Sequence, residues 1–401
     1  MSRTARLALI SISILGLGAC RAIIGAEEST LVTDGGAGTS AGGNGGTGGA
    51  GGTGAVAGQG GSAGGSGDCT EPLTKCGDAC INVWGADADN CGWCHHKCLG
   101  QPCTDGFCKA VQHAKVIAGP IRNMVLVPGL QSLFFSTSVE IDNAKLAGGG
   151  QAFKPIVLGG TAVALAASDK DLFWIWTDSG GLNPALHMAS PGTLPGTPQQ
   201  LAPINPSILL TVGQGICAPY VFWAEDVGAI NRIKGTDSPG APESMLAGAV
   251  PARAITNGNG RLYFSAAGNV DSVDCTMPGS PPDPAYKSSG DLREMAFSNE
   301  QNRLLMADWA PPGAVISASV DGSQEVDLLA TEVGQPVNLF PAGPTVFFAN
   351  KFSGEVFGVD FQSFDLRHYY PPGIGPVPSA LAADGEWLYM AVDNQVLRVP
   401  R

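Results

Sequence analysis

From residue 110 onward the chain repeats one hydrophobic pattern. Two or three large apolar residues come first, then a glycine or asparagine turn, then a V-x-x-V segment. The phrase begins at Leu133, Leu172, Val221, Leu262, Leu304, Val346 and Leu388, at intervals of 39, 49, 41, 42, 42 and 42 residues. The apolar runs are short and bounded by turn formers, and helical periodicity is nowhere sustained, so the elements are predicted to be strands. A period near 42 residues built from short strands is what one four-stranded propeller blade requires. Repeat four shows strand a near Ala254-Ile255, strand b at Leu262–Ser265 and strand c near Val270–Val273. Repeat six offers the same parts at Val337–Phe340, Val346–Ala349 and Val356–Phe361. The pattern predicts an all-β chain whose residues 110–401 form a seven-bladed β-propeller, or a six-bladed one if a repeat is degenerate. The second repeat is the least regular, with an inserted loop around Pro191–Pro198.

The two ends of this region complement each other. The last repeat stops at Val396-Leu397-Arg398-Val399, where strand c belongs, with no fourth strand after it. Ala114-Lys115-Val116-Ile117, ahead of the first strand a, resembles the fourth strands elsewhere and is predicted to complete blade seven, leaving no open seam. Cys217 falls in the a–b loop of blade three and Cys275 just after strand c of blade four. Those loops emerge on one face of neighbouring blades, which predicts a Cys217–Cys275 disulfide.

Ahead of the repeats the composition changes twice. Residues 1–19 pair Arg3 and Arg6 with an uncharged apolar run from Leu7 to Ala19, too short to span a bilayer and suited to a signal peptide. Leu17-Gly18-Ala19-Cys20 then resembles the lipobox of bacterial lipoproteins, which implies a mature chain starting at a lipidated Cys20. Residues 20–68 are dominated by Gly, Ala, Ser and Thr, a composition that cannot bury enough apolar area to order itself and reads as a tether. About 45 such residues would reach about 35–40 Å. The expected address is the outer membrane or cell surface, through an N-terminal lipid. The net charge of −13 argues against a nucleic-acid partner.

Residues 69–109 hold Cys69, Cys76, Cys80, Cys91, Cys94, Cys98, Cys103 and Cys108. A unit this small lacks room for an apolar core, and eight cysteines in an exported chain read as four disulfides whose pairing spacing leaves open. The run CGDACINVWGADADNCGWCHHKCLGQPCTDGFC resembles a short cysteine-rich module found in many myxobacterial surface proteins. Within it, Cys91-Gly92-Trp93-Cys94-His95 also fits C-x-x-C-H, the c-type haem attachment pattern, and hence a rival electron-transfer reading. The same spacing allows a redox dithiol, and His95 with His96 a zinc site. Asp87, Asp89 and Asn90 read as a polar turn.

The repeats themselves resemble propellers of the YWTD/NHL type, in which aromatic pairs mark strand b and a G-x-V-x-x-V strand follows. That likeness implies fold and leaves activity open. The histidines of this region, His113, His187 and His368, sit at no metal-ligand spacing. Asp178, Glu225, Asp226 and Asp308 follow strand b in blades two, three and five, where they form either an acidic rim that holds a metal for a hydrolase or lyase, or ordinary exposed turns. The sequence is read as a non-enzymatic, cofactor-free surface lipoprotein that presents a propeller to a protein or glycan ligand.

Overall fold

The computed structural model describes residues 69–401 apart from 179, 192–197, 237, 249–250, 267, 289 and 321–325. The signal segment, Cys20 and the glycine-rich tether lie outside the described residues, as does most of the loop expected around Pro191–Pro198.

Seven antiparallel four-stranded sheets follow one another along the chain, six of them in simple a-b-c-d order. Blade one uses Asn123–Val127, Ser132–Ser136, Glu140–Lys145 and Ile156–Val157; blade six uses Pro336–Ala342, Thr345–Asn350, Val356–Asp360 and Leu366–Tyr370. Blade seven is assembled from both ends of the repeat region. Its strands Ala380–Ala383, Trp387–Val392 and Gln395–Pro400 are completed by Val111–Lys115, with Gln395 opposite Lys115 and Val396 opposite Ala114. Strand pairing therefore closes the ring. The closing strand begins three residues earlier than the sequence suggests, so that His113 lies within it.

The apolar pairs of strand b explain why the ring has this form. Adjacent residues of a strand point to opposite faces, so each pair serves two blade interfaces at once. Phe134 packs toward blade two with Trp174, while Phe135 packs toward blade seven with Tyr389. The rule then runs round the circle: Phe173 meets Trp223, Phe222 meets Phe264, Tyr263 meets Met306, Leu305 meets Phe348, and Phe347 meets Met390. In every blade the first residue of the pair faces the next blade and the second faces the one before. Every one of these side chains is at most 2% exposed. Seven clusters fill seven interfaces, and no interface lacks a core.

A second regularity is absent from the hydrophobic pattern. In blades two to seven the c–d pairing shifts register near the start of strand c, as at Val270/Asp271, Val315/Ile316 and Val396/Leu397. Such bulges bend the outer strand and increase its twist, which fans each blade outward from the axis.

The cysteine module is held by Cys69–Cys80, Cys76–Cys94, Cys91–Cys103 and Cys98–Cys108. Its two small hairpins, Thr74–Cys76 with Ala79–Ile81 and Cys103–Thr104 with Phe107–Cys108, lead straight into the closing strand of the ring. The module rests on the ring near blades six and seven. Trp93 stacks on His96 at 3.7 Å and meets Tyr369 edge-on at 5.2 Å, and the His96 imidazole lies 3.3 Å from the Pro400 carbonyl. In the ring, Cys217 and Cys275 form a buried disulfide with Cα atoms 5.5 Å apart.

Candidate functional site

Because every strand pairing is antiparallel, the start of strand a, the end of b, the start of c and the end of d share one face of the ring. We call it the entry face; the a–b and c–d loops form the opposite one. Exposed large apolar side chains are unequally divided between them. Ile117, Val139, Leu182, Ile208, Val227, Phe352 and Ile374 are on the entry face, 40–98% exposed, and they come from blades one, two, three and six and the d–a connections beside them. The opposite face carries Ile216, Met277, Val326 and Phe364. A concentration of this kind on one face is the usual mark of a surface that meets another molecule.

Blades four and five fill the remaining arc of the entry face with charge. Arg253 and Arg293 both pair with Asp291. Beside them Trp309 donates from Nε1 to the Pro336 carbonyl at 2.7 Å, with Lys351 Nζ 4.3 Å and the Arg293 guanidinium 5.4 Å from the indole.

The a strands line the central channel, and polar side chains tie several of them to a neighbour. Asn123 donates to the Ala162 carbonyl at 3.4 Å, Asn257 to Val212 at 2.7 Å, Asn338 to Pro378 at 2.7 Å and Ser379 to Ile121 at 2.8 Å. Between blades five and six the tie is reversed, because Glu294 accepts. The strand-a pairing of blade six is interrupted between Val337 and Phe340, and Asn338 has φ of +59°, a conformation asparagine tolerates better than most residues. This bulge turns the Asn338 and Leu339 amides away from their own sheet, and both donate to the Glu294 carboxylate, Leu339 at 3.1 Å. Glu294 stands at a bulge of its own, between Leu292 and Glu294 in blade five. Burial pushes its carboxyl up to about 7, against the opposing effect of the two amides. Its side chain keeps partial access to water. Among the described residues no cation pairs with it.

A cavity of about 360 Å³ opens beside this bulge, within the range of about 300–1,000 Å³ that small-molecule sites occupy. Asn123, Asn338 and Ser379 supply its polar lining, and Met124, Leu126, Leu165, Leu339, Phe340 and Leu381 most of the apolar remainder.

The four carboxylates singled out from sequence sit on three separate turns, Glu225 and Asp226 sharing one. Asp178 accepts from the Gly180 and Leu182 amides and from Asn183. Glu225, 8% exposed, bonds Asn205 at 2.7 Å and the Trp223 indole at 3.3 Å, while Asp226 is exposed in the next position. Asp308 caps the backbone at Asp291 and Ala310. The only described group of three or more potential ligand atoms within 4.8 Å is Cys91, Cys98 and Cys103, all in disulfides. The haem reading of Cys91, Cys94 and His95 is overturned by the pairing. Cys91 is bonded to Cys103 and Cys94 to Cys76, so neither sulfur is available for a vinyl thioether and the two do not form a redox pair. His95 is exposed at φ +64°, and the buried histidine is its neighbour His96. Asp87 accepts from Asp89 and Asn90 in a polar turn. His187 lies against Trp174 at 5.5 Å, and His368 belongs to the outer strand of blade six, 2.5 Å from Glu355.

No family model matches the chain, and no curated protein sequence does. Solved structures share its ring. A YCF48 structure bound to D1 peptide is 14% identical with a TM-score of 0.54, matching 73% of this chain and 94% of that one. YCF48 from Cyanidioschyzon merolae is 11% identical at 0.55, with 73% and 98% covered. Kuenenia stuttgartiensis hydrazine synthase is 13% identical at 0.56, with 72% and 97% covered. Likenesses this remote in sequence establish the propeller and nothing finer.

Proposed function

We propose that this chain is an exported lipoprotein, anchored through Cys20 at the outer membrane or cell surface, whose propeller binds a protein partner on its entry face. The observation that carries the reading is the apolar set of Ile117, Val139, Leu182, Ile208, Val227, Phe352 and Ile374, gathered on one side of a ring that satisfies its own core. A partner covering those side chains would bury apolar area at about 25 cal/mol per Å². The YCF48 structure bound to D1 peptide is a propeller of the same fold engaged with a polypeptide, which supports a protein ligand over a glycan.

The anchor rests on the lipobox-like Leu17–Cys20 run and the tether behind it. Two experiments test the parts separately. Intact mass of the protein taken from its native membrane should show a diacylglyceryl-modified Cys20, and Cys20→Ser should release the chain to the soluble fraction. Cross-linking on cells followed by mass spectrometry should recover partners through the entry face, and Leu182→Asp with Phe352→Asp should abolish the cross-links. Cross-links that map to the opposite face, or that survive both substitutions, would refute the assignment of the surface.

A further inference from the structure

We propose that blades one to three of the entry face receive a basic polypeptide segment, one in which Lys or Arg is interleaved with aliphatic side chains. The inference rests on the protein-platform reading above and names the chemistry of the partner.

Three b–c loops and two d–a connections build this arc, residues 137–140, 158–160, 178–184, 204–208 and 225–229. Its apolar tips are Val139, Leu182, Ile208 and Val227, 40–66% exposed. Hydrogen bonds join the loops into one surface. Thr161 Oγ1 of blade two donates to the Ser138 carbonyl of blade one at 3.3 Å, and the Leu158 amide to the Val139 carbonyl at 2.7 Å. Further round, the Ile204 amide donates to the Pro184 carbonyl and the Asp226 amide to that of Pro206, both at 3.0 Å, while Asn205 reaches Glu225 at 2.7 Å. Two of the tips are also fixed within their own loops. The Val139 amide donates to Thr137 Oγ1 at 3.3 Å, and the Leu182 amide to the Asp178 carboxylate at 2.7 Å. A surface already held in place has less ordering entropy to lose when a partner covers it.

Charge selects the occupant of the apolar arc. The five segments contain Glu140, Asp178, Glu225 and Asp226 and no Lys, Arg or His. None of these carboxylates is in an ion pair among the described residues. The neighbouring arc differs, because there Arg253 and Arg293 both pair with Asp291. Asp178 and Glu225 have neutral donors of their own, whereas the Glu140 and Asp226 side chains have no bonded partner among the described residues. A neutral or acidic partner seated on the apolar tips would take those two charges out of water without compensation. A Lys or Arg supplies a charge-assisted hydrogen bond, and its methylene stem extends the apolar contact. The same complementarity disfavours nucleic acid and anionic lipid on this face.

The test is a titration of the full chain, disulfides intact, with three short labelled peptides that repeat Lys-Leu-Ser, Lys-Ser-Ser or Glu-Leu-Ser. The expected result is saturable binding of the Lys-Leu-Ser peptide alone, weaker at high salt. Glu140→Gln with Asp226→Asn should weaken it about threefold or more, the loss expected for two exposed ion pairs. Asp169→Asn with Glu300→Gln makes the same change of net charge in a–b loops of the opposite face and should leave binding as it is. Val139→Ser with Val227→Ser should weaken it about tenfold. No saturable binding overturns the proposal. So does equal binding of the Lys-Ser-Ser or Glu-Leu-Ser peptide, or an equal loss in the opposite-face variant, which would mean attraction by net charge alone. Co-sedimentation with phosphatidylcholine vesicles that is lost in the Val139 and Val227 variant assigns the face to a lipid surface and overturns it too. Failure of the platform reading is separate. Cross-links on cells that map to the opposite face sink both, whereas entry-face cross-links to segments without an excess of Lys and Arg sink only the basic partner.

Discussion

The forty residues from Cys69 to Cys108 and the ring that follows stabilise themselves by opposite means. The apolar cluster of the module consists of four half-cystines, Cys91, Cys98, Cys103 and Cys108, with Ala88 against them. Its four disulfides close loops of 10 to 18 residues. The ring has seven side-chain clusters and one disulfide. Too small to bury much surface, the module substitutes covalent links for apolar contact. Trp93, one of the two tryptophans of the module, is used outward, against the ring.

The largest expected effect tests that contrast directly. Cys98→Ala with Cys108→Ala removes two of the four half-cystines in that cluster, and its hydrogen-exchange protection over residues 69–108 should be lost. The same pair of changes at Cys217 and Cys275 should lower the melting temperature while blades three and four keep their protection, because Phe222 and Phe264 still fill that interface. A module that stays protected without the Cys98–Cys108 bond would refute sulfur as its core. Next in size is the ring. Phe348 is fully buried between blades five and six, stacked on Phe357 at 5.3 Å, and Phe348→Ala should cost about 3–5 kcal/mol in denaturant unfolding. A loss below about 1 kcal/mol would mean that the interface cores are not what holds the circle closed.

The same contrast explains what could be read in advance. The ring was legible because one signal, an apolar pair every forty-odd residues, encodes both the strand and its two interfaces. Closure was legible because a missing fourth strand at one end matched a spare strand at the other. The module was not legible beyond its need for staples, since eight cysteines at short spacing fit many pairings. Cys-Gly-Trp-Cys-His-His read as disulfide cysteines with a rival haem reading at Cys91, Cys94 and His95, and neither reading anticipated that Trp93 and His96 are used for packing. Glu294 went unnoticed for a different reason. In sequence it is one glutamate in Leu292-Arg293-Glu294-Met295, and its partners appear only when a bulge forty-four residues later turns two amides toward it. Bulges depend on twist and neighbouring strands more than on local composition, so no local signal marks such a site.

Glu294 supplies the third prediction. Its carboxyl is raised to about 7 from an ordinary value of 4.5, so the folded ring holds a proton that the unfolded chain releases. Stability from this group is therefore full below about pH 4.5 and is lost as pH climbs to about 7. Glu294→Gln should leave the melting temperature near that of the parent at pH 4.5 and raise stability by about 1–3 kcal/mol at pH 8. Equal effects at both pH values would show that the carboxylate is not held in an uncompensated state.

The smallest effect concerns the seam between the two regions. His96 is 5% exposed, with its ring nitrogens 2.5 Å from the Cys91 carbonyl and 3.3 Å from that of Pro400. Burial, with a lesser contribution from the Arg367 charge, holds the imidazole below its ordinary value. A histidine depressed in this way stabilises the folded form fully above about pH 6.5, and the stabilisation is lost as pH falls through the folded value. Acid should therefore loosen the contact between the module and blades six and seven, while His113 against Tyr389 in blade seven and His187 against Trp174 in blade two, both held low by burial, give those blades an acid sensitivity of their own. Hydrogen exchange at pH 5 and pH 7.5 should show a difference at the contact around Trp93, Tyr369 and Pro400, separate from any around His113 and His187. His96→Phe, which keeps an aromatic ring against Trp93 and removes the titrating group, should make that contact indifferent to pH over the same range. If the seam in the variant still opens at pH 5, another group controls it and the imidazole is only a spacer.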